Sequence, residues 1–205
     1  MYIIENQFII LSKNTPPMSL KELTIKQHQN AERQHFAATL MSGKISKKSY
    51  LEYLVNQLHC YSSLENHPNF KLPDERLKRV EKIQEDISEL QNDLKKINEE
   101  LSKMITQSTK DYLKHVKKIN NEEDYLAHIY VRYLGDLRGG QIISKKTPGK
   151  GKYYQFENSI ELANSIYKVI NDNMANEAKK VFDFATKLFI EMHKSDQKRK
   201  ASISK

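Results

Sequence analysis

Three of the chain's six glycines fall within a single stretch that otherwise reads as a helix, His128 to Gln141. Each mid-helix glycine costs about 1 kcal/mol relative to alanine. Gly135, Gly139 and Gly140 together therefore need a reason. One reason is that something approaches the backbone more closely than a Cβ permits. Arg132 and Asp136 stand four apart, on one face of the same helix. A softened helix with a carboxylate and a guanidinium at the soft point reads as a site. The alternative is that Gly139 caps a helix end while Arg132 and Asp136 form a solvated surface pair.

Elsewhere glycine and proline are scarce. The five prolines leave Asp74 to Thr147 free of any breaker of that kind. The pattern predicts an all-α chain with one domain. At 205 residues it can bury a core without staples. A single cysteine, Cys60, makes no internal disulfide and points to a reducing, cytoplasmic setting. No apolar run reaches membrane-spanning length. Residues 1–17 lack the marks of a signal peptide and are expected to extend outside the fold. Residues 18–193 would form the domain, and the basic residues 194–205 a disordered tail. The net charge of +8 favours an acidic partner. Aromatics do not interleave with the basic runs, which argues against nucleic acid.

Ser19 and Glu22 form a capping-box pattern for a first helix running to about Met41. Ser46 starts a second, to about Asn66. From Val80 to Met104, with Ile83, Ile87, Leu90, Leu94, Ile97 and Leu101 between, apolar residues alternate three and four apart. That is a narrow seam, expected as one long bundle helix over 77–104 packed on one neighbour. Asp124–Ile143 is the glycine-bearing helix, Thr147–Gly151 a loop, and 159–193 a last, interruptible helix.

Seven histidines are present, none in a zinc pattern. On the first helix Lys21, His28 and Glu32 share a face. A helix histidine alone is more often packed or solvated than a ligand. Glu32, however, offers the acceptor that a ligating histidine requires, and a nearby lysine can pair with a carboxylate of a bound group.

Lys21-x6-His28-x3-Glu32, followed a hundred residues later by Tyr130-x-Arg132-Tyr133-Leu134-Gly135-Asp136-Leu137-x-Gly139-Gly140-Gln141, resembles the heme oxygenase family. The likeness extends to Gln84-Glu85-Asp86-Ile87, Tyr167-Lys168 and Glu177-Ala178-Lys179-x-Val181-Phe182. It implies heme b, cofactor and substrate at once, between a proximal helix and a kinked distal helix. It implies His28 as the axial iron ligand with Glu32 behind it, and no other metal. Lys21, Tyr130 and Lys168 match positions that contact the propionates, and Phe182 a pocket wall. Gly135 and Gly139 match glycines whose backbone lies on the porphyrin. Asp136 matches the carboxylate that orders distal water, with Tyr61 and Arg132 as its hydrogen-bonding partners.

The implied reaction uses O2 and electrons from an acidic donor such as ferredoxin. It yields biliverdin, iron and carbon monoxide, with a bilin reductase as a possible consumer. The chain departs from the family pattern at Arg138, where a small residue is usual, and at Asn164, where a lysine often contacts a propionate. It also lacks the aromatic-glycine break after the Gln84-Glu85-Asp86 helix, and its segment between Tyr167 and Glu177 is short. Two rival readings stay open: a heme-storage protein, and a helical interaction protein that dimerises through 77–104 without heme.

Overall fold

The computed structural model describes residues 19–94 and 101–203. Among them every regular element is helical. The proposed extension over 1–17 and Ile97 of the apolar seam lie outside the described residues.

The first helix, α1 (Leu20–Glu32), begins with the expected reciprocal cap: the Ser19 hydroxyl accepts from the Glu22 amide, and the Glu22 carboxylate accepts from the Ser19 amide. It does not run on to Met41. Gln34 adopts extended backbone, and a separate helix, α2 (His35–Ser42), follows. Ala31 and Phe36 are both buried and five residues apart. On one straight helix they would diverge by roughly 140°. The break at Arg33–Gln34 lets both face the core. Gly43 then ends α2 with φ +74, a conformation that favours glycine.

The central helix, α3 (Lys47–Glu65), starts at the predicted Ser46 cap and is buried on several sides, including Tyr50, Leu54, Cys60, Tyr61 and Leu64. It packs against α4 (Val80–Asp93) through the seam residues Ile83, Ile87 and Leu90. Arg79 supplies no side-chain cap to α4; instead the Glu65 carboxylate accepts from the Arg79 amide at 2.6 Å. Here the expectation of one helix over 77–104 is corrected. Leu77 sits in a 3-10 turn (Glu75–Leu77), α4 ends at Asp93, and Leu101 and Met104 occupy a second 3-10 turn. Asn56 of α3 causes the later departure. Its amide nitrogen donates to the Met104 carbonyl at 2.8 Å, and its oxygen accepts from the Thr106 amide at 2.9 Å. Thr106 then caps α5 (Gln107–Val116). With α3 covering Ile83, Ile87 and Leu90, this stretch of the seam is not free to dimerise.

α6 (Glu122–Gly135) passes into a wider π-helical turn over Asp136–Gly140, and α geometry resumes at Gln141–Ile143. The final region is broken into α7 (Ser159–Tyr167) and α8 (Ala175–Ile203). α8 lies along α1, α2, α5 and α6. It also continues through the stretch expected as a disordered tail from Lys194. Arg199 accounts for this: it forms an ion pair with Glu52 of α3 and a second, at 3.0 Å, with Asp196. Ser195 donates to Glu52 as well, at 3.0 Å. No described helix is long and apolar enough to cross a membrane.

Candidate active site

α1 and α8 form one wall of a cleft and α6 with its π turn forms the other. Two adjoining cavities of about 510 and 500 Å³ share His28, Glu32, Gly135, Gly139 and Phe182 in their walls. The sequence-predicted residues thus converge from helices a hundred positions apart.

On the α1 side, His28 is the one histidine among the described residues lining the cleft. Its Nε2 lies 3.2 Å from a Glu32 oxygen, and its ring centroid is 5.3 Å from that of Phe182. The imidazole carries two nitrogens, so one can hold Glu32 while the other is left for a ligand. His128, by contrast, is fully buried with both nitrogens engaged, to Tyr112 at 2.8 Å and to Glu177 at 3.1 Å. Burial lowers its pKa to about 4, so it is neutral at pH 7. Burial opposes ionisation of Glu177, but hydrogen bonds from His128, His115 and Lys180 outweigh it and hold the carboxyl well below the usual range. His115, His128 and Glu177 are close enough to hold a metal ion. Both histidines are already bonded to Glu177, with Lys180 balancing the carboxylate at 2.8 Å.

On the opposite wall the three glycines separate into two kinds. A Cβ on Gly135 or Gly139 would meet nothing within 4 Å. Both backbones therefore border open space in the cleft. A Cβ on Gly140 would lie 2.5 Å from Cδ1 of Tyr154, so this glycine serves packing. None of the three has positive φ, which removes the reading of Gly139 as a left-handed helix cap. Gly139→Ala is accordingly expected to be neutral or stabilising in the ligand-free protein, by up to about 1 kcal/mol. Gly140→Ala should destabilise by about 1–3 kcal/mol through overpacking. Denaturant unfolding of the two variants checks this; equal effects would refute the division.

Asp136 is held differently from the sequence expectation. The Tyr61 hydroxyl donates to Oδ2, as anticipated. Arg132 does not bond Asp136. Its Nε donates to the Tyr112 hydroxyl at 2.9 Å and its Nη1 to Gln57 at 3.1 Å, with the guanidinium over the Tyr112 ring. The i, i+4 spacing places Arg132 on the right face, but these aromatic and amide partners capture the guanidinium first. The second donor to Asp136 is Tyr153, at 3.1 Å from Oδ1. Sequence reasoning missed it, because nothing periodic links Tyr153 to Tyr61, 92 residues earlier; the only signal was an aromatic pair directly after the loop that follows the glycine helix. Burial raises the Asp136 carboxyl to about 7, against the pull of the two tyrosine hydroxyls and the positive charge of Arg132.

At the mouth, Lys21, Tyr130, Arg138 and Tyr167 surround the outer cavity. Lys168 does not join them; it lies with Asp74, Glu161 and Asn164 around a separate pocket. Tyr167 borders both pockets, and Lys168, about 100° further round the helix, borders only the second. Arg138 has moved into the place: its Nη2 lies 3.4 Å from the Tyr167 hydroxyl.

An all-helical cleft with one histidine on one wall and bare backbone on the other suits a flat ring with carboxylates at its edge. The heme oxygenase family profile matches residues 17–191, and the chain belongs to that family of heme-cleaving enzymes. A heme oxygenase of Pyropia yezoensis is 29% identical, over 90% of this chain and 89% of its own length. The structure of a Leptospira interrogans heme oxygenase matches with a TM-score of 0.68 at 28% identity, over 84% of this chain and 97% of that one. Heme oxygenase-1 of Synechocystis, solved in complex with heme, shares the fold with a TM-score of 0.73 at 22% identity, over 90% and 95% of the two chains.

Proposed function

We propose that the protein opens heme to biliverdin with release of iron and carbon monoxide, using O2 and electrons from an acidic donor such as ferredoxin. The observation that carries this reading is the distal wall, where a half-buried carboxyl stands between two glycines that border open space. When bound, heme supplies both the iron that activates O2 and the macrocycle that is oxidised. His28 offers the axial nitrogen, and Glu32 orients the imidazole. Phe182 packs beside it. Gly135 and Gly139 let the ring lie against main chain. Asp136, kept by burial near the middle of its titration at neutral pH, takes up and returns protons through ordered water. Biliverdin would pass to a downstream bilin reductase, and the buried, unpaired Cys60 fits a reducing cytoplasm.

Mixing the purified protein with hemin should produce a Soret band. Ascorbate or reduced ferredoxin should then convert that spectrum to biliverdin. A Soret band without conversion would make the protein a heme store, and no band would sink the reading.

The mouth residues would meet the propionates. Lys21 and Arg138 form no ion pair with a carboxylate among the described residues, while Tyr130 and Tyr167 stand beside them. Arg138→Ala is expected to weaken hemin binding about fivefold, the worth of a partly exposed ion pair of ~1 kcal/mol. Binding of hemin dimethyl ester should not change. An equal loss for both ligands, read by absorbance titration, would show that Arg138 acts by packing instead of charge.

A further inference from the structure

We propose that Tyr153 is a positioning residue for Asp136: with Tyr61 it forms a triangle that keeps the carboxyl hydrogen-bonded both ionised and protonated, the hydroxyls only turning while the proton passes to or from water in the cleft. The inference rests on the functional reading above only for its use, not for its geometry. Tyr153 Oη lies 3.1 Å from Asp136 Oδ1 and 3.1 Å from Tyr61 Oη, and Tyr61 donates to Oδ2. Both tyrosines are about 1% exposed.

The proton count works in both states. With Asp136 ionised, each hydroxyl donates to one carboxylate oxygen, and both oxygens are satisfied. With Asp136 protonated, the acid hydrogen needs an acceptor. A tyrosine oxygen provides one, provided that its own hydrogen turns elsewhere. Tyr153 can turn to Tyr61 because the two hydroxyls are themselves within hydrogen-bond distance. Neither state strands a buried donor, which would otherwise cost the desolvation of that group. A single tyrosine on Asp136 would satisfy only one of the two oxygens.

The chain builds this placement on purpose-fitted supports. The Asp86 carboxylate, part of the Gln84-Glu85-Asp86 motif that the cleft itself does not use, accepts from the Lys152 and Tyr153 amides, both at 2.9 Å. Those bonds fix the 3-10 turn Lys152–Tyr154. Gly151 enters the turn at φ +62. Tyr154 packs its ring where Gly140 lacks a Cβ, which docks the same turn on the distal helix. Asp86, Gly140 and Gly151 thus all serve to aim Tyr153.

The groups that face Asp136 are Tyr53 and Tyr61 from α3, Arg79 from the start of α4, Arg132 from α6, and Tyr153 from the turn; Tyr50 and Tyr154 lie near enough to feel its charge. Of these, Tyr61 and Tyr153 bond it directly. Both hydroxyls favour the ionised carboxyl, against the burial that raises it.

The test is a pH titration of the full-length, heme-free protein carrying 13C-carboxyl aspartate, followed by NMR, with Asp136→Asn assigning the signal. Tyr153→Phe should raise the Asp136 midpoint by about one pH unit, a tenfold change in proton affinity. Tyr154→Phe removes a neighbouring hydroxyl that bonds Tyr53 at 3.4 Å instead, and should leave the midpoint in place. Tyr61→Phe should also raise it, and the double variant with Tyr153→Phe should raise it further than either alone. In the heme-loaded enzyme the pH profile of turnover should move in the same direction. A midpoint unmoved by Tyr153→Phe, or moved equally by Tyr154→Phe, would overturn the proposal. A protein that shows the shift yet binds no hemin would refute the functional reading and leave the triangle standing.

Discussion

Asp136→Ala is expected to cut biliverdin formation about 10²–10⁴-fold, the usual loss when a positioned proton donor is removed, while hemin affinity stays nearly unchanged. The separation follows from geometry. Asp136 contributes a half-buried carboxyl to the distal wall, whereas the proposed axial nitrogen belongs to His28 and the mouth cations to Lys21 and Arg138. Single-turnover product analysis beside a hemin titration reads both numbers. Asp136→Asn keeps the size of the side chain but cannot exchange the proton, so it should lose nearly as much activity as alanine. A variant that kept turnover within about threefold of the parent, far below that range, would remove Asp136 from the chemistry.

His28→Ala should be the second severe variant, and it should fail differently. Losing only an outer partner of a ligating histidine commonly costs 10–100-fold in metal affinity. Losing the ligand itself should cost at least about 100-fold in the affinity for hemin, taking turnover with it. Added imidazole should restore part of both, because the space vacated beside Phe182 suits that ring. The rivals are poorly placed. His128 is fully buried with both nitrogens bonded, His67 accepts from the Asn69 amide, and His35 stacks on His193 with ring centroids 4.9 Å apart. Normal turnover in His28→Ala, with loss of the heme spectrum on changing His35, would reassign the ligand.

What could be read from sequence followed from local rules. Ser19 with Glu22, Ser46 and Thr106 act within three residues of themselves, so two of these helix starts, at Ser19 and Ser46, were legible as capping patterns. The Lys21/His28/Glu32 face and the Gly135–Asp136–Gly139 run are likewise local, and all of them reach the cleft. The errors share a different cause. The helical period fails around Met104 because Asn56, far away on α3, bonds the chain there. The end of α8 is ordered by Glu52, 147 residues before Arg199. Arg132 is drawn from Asp136 by Gln57 and Tyr112, and Lys168 loses its place to Arg138 through one residue of helical phase. The first three are long-range polar partner choices, which hydrophobic period and cap patterns do not encode.

One side of this cleft can be carved and the other cannot. Where Phe182 and His28 form the surface, evolution or an experimenter can trim a side chain, enlarge it or swap its chemistry. At Gly135 and Gly139 the surface is already bare main chain with empty space beyond it. Substitution there can add bulk but never take any away. The family of shapes open to this pocket is therefore lopsided: the distal side starts at its limit, and every variant of it is a smaller room.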